Sequence, residues 1–205
     1  MAPLVHITSP IETERLALRP FVATDFDALA EIQSRADVAR YLYWEPRTRR
    51  QVRSALRRRM GMTRIERAGD AVNLAVTLRG EGGGRSGPTR GQVQPMIGDV
   101  LLSYTSAVHQ QAELGYVFHP EWHGHGYATE AAAALVDLAF RSLRVHRVFA
   151  HIDARNERSA LLLERLGLRR EAHFVENEWV KGEWTNDVYY AVLADEWSAR
   201  HPPAP

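Results

Sequence analysis

Cysteine is absent from all 205 residues, which excludes disulfides, thiolate-bound metals and a cysteine nucleophile together. No uninterrupted apolar run approaches the roughly 18 residues that a membrane-crossing helix needs, so no membrane partner is expected. The opening Met1-Ala2-Pro3-Leu4-Val5-His6 has neither the basic stretch nor the apolar region of a signal peptide, and a cytoplasmic home is the expectation. Excess charge is lacking too: the net charge is +1, so the chain as a whole is not built to wrap nucleic acid. What is present suits one globular domain, with 45% hydrophobic and 25% charged residues and enough length for one substantial core. No repeat and no composition break divides it, so residues 1–205 read as a single domain.

The apolar pattern changes period along the chain. Glu14 to Pro20 alternates as a half-buried strand does, and Thr24 stands where it would cap a helix carrying Phe26, Leu29, Ala30 and Ile32. Tyr41-Leu42-Tyr43-Trp44-Glu45-Pro46 reads as an aromatic loop. Thr48 and Gln51 form a capping box for a helix burying Val52, Leu56 and Met60. Seven arginines fall between Arg47 and Arg59. Their ordinary reading is a solvated face; the alternative is docking of an acidic partner, or of RNA if the protein works at the ribosome. Ala71–Leu78, Met96–Ser106 and Ala112–Phe118 read as strands, and Arg79–Pro95, with six glycines and two prolines, as a mobile hairpin loop. A helix is expected over Gly126–Ser142, a strand over Val145–Ile152 and a helix over Asn156–Leu166 closed by Gly167. Strands over Leu168–Val175 and Trp184–Leu193 follow, then a frayed tail at 201–205. The order β-α-α-β-β-β-α-β-α-β-β predicts a mixed α/β fold, with about seven strands and helices on both faces.

One turn stands out chemically. His123-Gly124-His125-Gly126-Tyr127-Ala128 lies between a strand and a helix start, where unpaired N–H groups and the positive end of the helix dipole favour an anion. The two glycines let the backbone approach a phosphate closely. The Walker pattern is missing, and Thr129 replaces the third glycine of a dinucleotide fingerprint.

The stretch Glu113-Leu-Gly-Tyr-Val-Phe-His-Pro-Glu-Trp-His-Gly-His-Gly-Tyr-Ala-Thr-Glu-Ala131 resembles the core of the GNAT N-acetyltransferases. It is most similar to the branch that acetylates ribosomal-protein N-terminal alanine or serine. His123, Gly126 and Ala128 stand at the defined positions of that family's Gln/Arg-x-x-Gly-x-Gly/Ala loop, with His123 departing from the pattern. Leu16–Pro20, Tyr41–Pro46, Asn156–Ser159 and Leu166-Gly167 agree in order, so the resemblance spans roughly residues 11–195. It implies central strands that splay apart and acetyl-CoA as cofactor, its diphosphate against the backbone of residues 124–128 with His123 beside it. Pantetheine would then pair with the backbone of Val117 and Phe118. The product would be CoA, and the acceptor a primary amine, foremost a protein or peptide N-terminus, with a small amine such as an antibiotic or polyamine as the alternative. A catalytically silent CoA-sensing or RNA-docking module is the reading from another class. A homodimer is compatible with the resemblance.

Amine acylation needs an unprotonated amine. At pH 7 that costs an α-amine about 1 kcal/mol and a lysine about 4.6 kcal/mol, so a base helps. Glu113, a carboxylate in an otherwise apolar strand, is the first candidate, acting directly or through water; an exposed, cross-strand-paired role is the alternative. Glu171 and Asp153 are the fallback carboxylates. Ser159 suits the cofactor sulfur and Asn156 the pantetheine amides, although both residue types also cap helices. Tyr127 suits packing on the loop. Tyr41 and Trp44 suit the wall of an acceptor pocket, or equally a core. His119, His123 and His125 raise zinc, but with no fourth ligand evident no metal is expected.

Overall fold

The computed structural model describes residues 5–79 and 94–202. Most of the glycine-rich loop expected over 79–95, and residues 203–205 of the expected tail, lie outside them. In chain order the elements are β1 (Val5–His6), β2 (Ile11–Glu12), β3 (Leu16–Pro20), α1 (Phe26–Gln33), α2 (Ala36–Ala39), α3 (Arg49–Met60), β4 (Arg64–Ile65) and β5 (Ala71–Leu78). Then come β6 (Met96–Ser106), β7 (Gln111–Phe118), α4 (Tyr127–Arg141), β8 (Arg147–Asp153), α5 (Glu157–Arg165), β9 (Arg169–Val180), β10 (Glu183–Leu193) and α6 (Ala194–Arg200). Eight strands form one sheet in the order β2-β3-β5-β6-β7-β8-β10-β9, and β1 pairs separately with β4. Within the large sheet only β7 and β8 run parallel, as a β-α-β crossover through α4 requires.

The sheet buries both faces, unequally. Leu16, Leu18, Leu74, Val100, Leu102, Leu114 and Phe118 pack with Leu135 and Val136 of α4 and Leu163 of α5 in the main core. The opposite face carries a smaller cluster in which Ala75 and Met96 meet Phe21, Leu29, Ile32, Val52 and Leu56, with Val117 against it. α1 and α3 therefore cover this face only as far as β7.

Several expectations need correction. Thr24 makes no cap. The chain enters α1 through Asp25, 3% exposed, whose carboxylate accepts the Val22 N–H at 2.8 Å and two bonds from the Arg19 guanidinium at 2.8 and 2.6 Å. The Thr48–Gln51 capping box is present, but α3 buries Arg59 rather than Met60, which is 40% exposed. Seven residues on from Val52 a helix returns to within about 20°, whereas eight overshoot by about 80°. Arg59 lies 3.7 Å from the buried Asp99; Arg49, Arg50, Arg53, Arg57 and Arg58 are exposed.

The last two strands are longer than the sequence pattern suggests. They form one hairpin in which Val180 pairs with Glu183 and Lys181 and Gly182 have φ of 53° and 84°, a two-residue turn with both central residues left-handed. The Lys181 ammonium bonds to the Ala39 carbonyl at the end of α2. α6 is an addition to the expected order. It seats the buried Trp197, whose indole N–H reaches Asp137 at 2.9 Å. His201, expected to fray, stacks on Trp197 at 3.9 Å.

Gly98 fixes how closely β6 and β7 approach the main core. A Cβ there would lie 2.6 Å from the Phe118 ring and 2.7 Å from the Val117 carbonyl oxygen. Gly98→Ala is expected to cost about 1–3 kcal/mol, the usual penalty of overpacking. At Gly115 a Cβ would meet only Leu101, at 3.6 Å, so Gly115→Ala should leave stability nearly unchanged. Denaturant melts of the two variants check the contrast.

Candidate active site

The parallel pairing of β7 with β8 is brief: Gln111↔Arg147, Ala112↔Val148 and Glu113↔Phe149. Beyond that rung both strands continue, to Phe118 and Asp153, without pairing. The strands splay, and the edge of β7 past Glu113 has no strand opposite. The His119 N–H points the other way, to the Ile97 carbonyl at 2.9 Å. A planar trans peptide then turns the Phe118 carbonyl into the cleft, where it meets His123 Nε2 at 3.2 Å.

At the mouth of the cleft lies the glycine turn. Gly124 and Gly126 have φ of +81° and +80°, a conformation that costs most other residues 1–2 kcal/mol. No side chain caps the start of α4, which leaves its first amides to an outside partner. Arg15 braces the turn. Its guanidinium donates to Glu130 at 2.7 Å and to the His125 carbonyl at 3.0 Å, and lies 4.8 Å from the Tyr127 ring centroid. Tyr127 in turn stacks on His125. Burial would raise the Glu130 pKa, but hydrogen bonds from Thr13 and Arg15 outweigh it and hold the carboxyl below its usual range. The first-turn carboxylate is thus matched by a cation, and the helix start can still receive an anion. His123 joins the turn to α5, its Nδ1 3.3 Å from Arg158 Nη1. These residues fit a diphosphate.

The splay separates two sets of polar groups. On the core side, the Tyr116 hydroxyl lies 2.5 Å from Ser159 Oγ. Burial pushes the phenol up to about 12, with the Ser159 hydrogen bond opposing. Asn156 caps α5, its Oδ1 accepting the Ser159 N–H at 3.2 Å. On the other face, Glu113 Oε1 stands 3.0 Å from His151 Nδ1, without linear hydrogen-bond geometry. Stacked Tyr189 at 5.2 Å and tilted Tyr43 at 5.7 Å flank the imidazole. The Glu113 carboxylate beside Nδ1 raises the His151 pKa, burial opposes it, and Asp187 and Glu178 add to the rise.

Several sequence candidates sit elsewhere. Trp44 lies under the Arg47 guanidinium, 4.7 Å from ring centroid to carbon; Tyr43, not Trp44, reaches the imidazole. Tyr41 and Tyr43 line a shallow cleft with Asp153, Lys181 and Asp187. Asp153 is bonded to Arg155 at 2.6–3.2 Å. Its pKa falls because those bonds and the Arg155 N–H outweigh burial. Glu171 sits between Arg147 and Arg169, whose bonds lower it. The three histidines face separate partners, with His119 Nδ1 accepting from the Glu121 N–H, and no metal-holding cluster occurs among the described residues. Sequence reading overlooked Arg15, Tyr116, His151 and Tyr189. Tyr116 had a signal, a hydroxyl inside an apolar strand; His151 had none, because the β7–β8 register is invisible in sequence.

Residues 15–169 match the acetyltransferase (GNAT) domain. The uncharacterized N-acetyltransferase YnaD of Bacillus subtilis (strain 168) is 28% identical over 194 residues, covering 95% of this chain and 100% of the relative. Shorter stretches match two enzymes of Escherichia coli (strain K12). The spermidine N(1)-acetyltransferase is 27% identical over 51% of this chain and 56% of its own length. The ribosomal protein uS5 alanine N-acetyltransferase is 32% identical over 42% and 44%. Among solved structures, a GNAT-family acetyltransferase from Bacillus anthracis superposes with a TM-score of 0.77 at 29% identity, covering 91% of this chain and 99% of the other. A spermidine N-acetyltransferase from Vibrio cholerae in complex with CoA and spermine shares the fold, with a TM-score of 0.70 at 19% identity over 90% and 99%. The splayed sheet, the glycine turn at the start of α4 and these likenesses agree: the chain belongs to the GNAT acetyltransferases, N-acetyltransferases that move acetyl from acetyl-CoA to an amine.

Proposed function

We propose that the acceptor is the α-amine of a protein or peptide N-terminus, and that acetyl passes to it directly within a ternary complex. The observation that carries this reading is Glu113 at the last rung before the splay, on the face that α1 and α3 leave uncovered. An acceptor can approach there while the cofactor arm occupies the cleft between β7 and β8. A covalent acyl-cysteine has no residue to form on. An α-amine also asks little of the base, about 1 kcal/mol at pH 7. A polyamine is the second reading, favoured by Asp187 and Glu178 beside Tyr43 and Tyr189.

Acetyl-CoA, when bound, supplies the acetyl group as an activated thioester. In this reading the amides of Gly124 to Ala128 hold its diphosphate, with His123, His125 and Tyr127 shaping the turn. The Val117–Phe118 backbone lines the arm, and Asn156 fixes the start of α5. Tyr116 and Ser159 face the sulfur. A phenol at about 12 cannot readily protonate a thiolate whose conjugate acid has a pKa near 8.5. Tyr116 therefore hydrogen-bonds the leaving thiolate, which takes its proton from water. Glu113 provides the negative charge that draws the proton from the amine.

Three expectations test this. Gly126→Val should weaken CoA binding at least tenfold, about 1.4 kcal/mol, in a folded protein; calorimetry showing unchanged affinity removes the turn from the cofactor site. Glu113→Gln should lower the rate by about 10²–10⁴ with CoA affinity near wild type. Thiol release with matched peptide and polyamine panels should favour peptides with a free N-terminus, and turnover of polyamines alone rejects the acceptor proposed.

A further inference from the structure

We propose that the imidazole of His151, held by Glu113, is the group that takes the proton from the attacking amine. The inference rests on amine acetylation and is indifferent to which amine is accepted. His151 Nδ1 is buried, and Glu113 Oε1 lies 3.0 Å from it. Nε2 makes no hydrogen bond among the described residues, and the ring lies on the Glu113 face of the sheet. With its hydrogen on Nδ1, beside the carboxylate, the imidazole keeps its lone pair on Nε2. Tyr189, stacked on the ring, and Tyr43, tilted against it, restrict the imidazole, as a positioned base requires.

The charges that act most strongly on the ring are negative. Glu113 comes from β7, Asp187 from β10 and Glu178 from β9. The phenols of Tyr43 and Tyr189 are held protonated, chiefly by burial. A protonated His151 is thus stabilised as it forms, and its pKa lies above the usual 6.5. General-base efficiency favours a pKa near the working pH, and an imidazole is the side chain that titrates there. Glu113 then acts as the positioning residue and His151 as the base.

The step balances. The amine nitrogen bonds to the acetyl carbon and the carbon–sulfur bond breaks. The nitrogen's proton passes to Nε2, and the thiolate leaves hydrogen-bonded to Tyr116. Imidazolium then releases its proton to water, and the thiolate takes one from water.

Two measurements test the assignment. Nitrogen-15 NMR of the histidine side chains, with the His151 signal identified by its loss in His151→Asn or His151→Gln, should show the Nδ1–H tautomer when neutral. It should also show a titration above 6.5 that moves lower in Glu113→Gln. Kinetics, run on whichever amine the wild type acetylates, should show kcat/KM rising with pH through that same titration. His151→Asn should lose at least about 10²-fold together with the pH limb, at unchanged CoA affinity. Glu113→Gln should keep the limb, shifted to lower pH, and the double variant should lose little more than His151→Asn alone, because the pair acts as a unit. A neutral Nε2–H tautomer overturns the proposal. So does a His151→Asn or His151→Gln enzyme within about threefold of wild type with its pH limb intact; Glu113 then works without the imidazole. Acetylation of small amines but of no peptide rejects only the acceptor proposed above, since this test follows whichever amine turns over.

Discussion

Three rungs of parallel pairing between β7 and β8 join the two halves of the eight-stranded sheet. Every other contact between neighbouring strands is antiparallel and mostly longer, so this junction is where the sheet can open. Its shortness follows from the crossover. The chain leaves β7 at Phe118, turns through the glycines, runs the length of α4 and returns at Arg147, so β8 meets β7 only at its start. The buried Leu135, Val136 and Ala139 of α4 hold that geometry from the core side. A longer ladder would zip the cleft shut and spend the β7 backbone on β8.

The splay also sorts chemistry by face. Side chains alternate along a strand, so Tyr116 points toward the core and Ser159, while Glu113, three residues earlier and so of opposite parity, points toward His151. A thioester between the strands would meet a hydroxyl pair on one side and a carboxylate–imidazole pair on the other. Neither pair can neutralise the other, because the sheet separates them.

Legibility in the sequence followed locality. α4 was readable because its apolar stripe repeats over many turns between Gly126 and Ser142. α5 was readable because Asn156 and Gly167 mark its ends, and the Thr48–Gln51 box because three residues suffice to close it. The β9–β10 turn escaped notice because Lys181 is an unusual residue at positive φ, where Asn or Asp with Gly would have signalled a hairpin. α6 is short, and what seats it is Trp197 against Asp137, sixty positions away. Glu113 was suggested by a carboxylate in an apolar strand; its partner His151 depends on register, and Arg15 on the bend between β2 and β3, which reaches the turn from over a hundred residues upstream.

Lys181 is the single lysine in the chain, and its ammonium is bonded to the Ala39 carbonyl. Every other basic position, including Arg15 and Arg158 beside the glycine turn, is arginine or histidine. A guanidinium stays protonated at any physiological pH and so offers no lone pair to a thioester. A lysine in either place would supply the same positive charge together with an acylatable amine. The choice of arginine lets the protein surround a reactive acyl donor with cations while presenting almost nothing of itself to be acetylated.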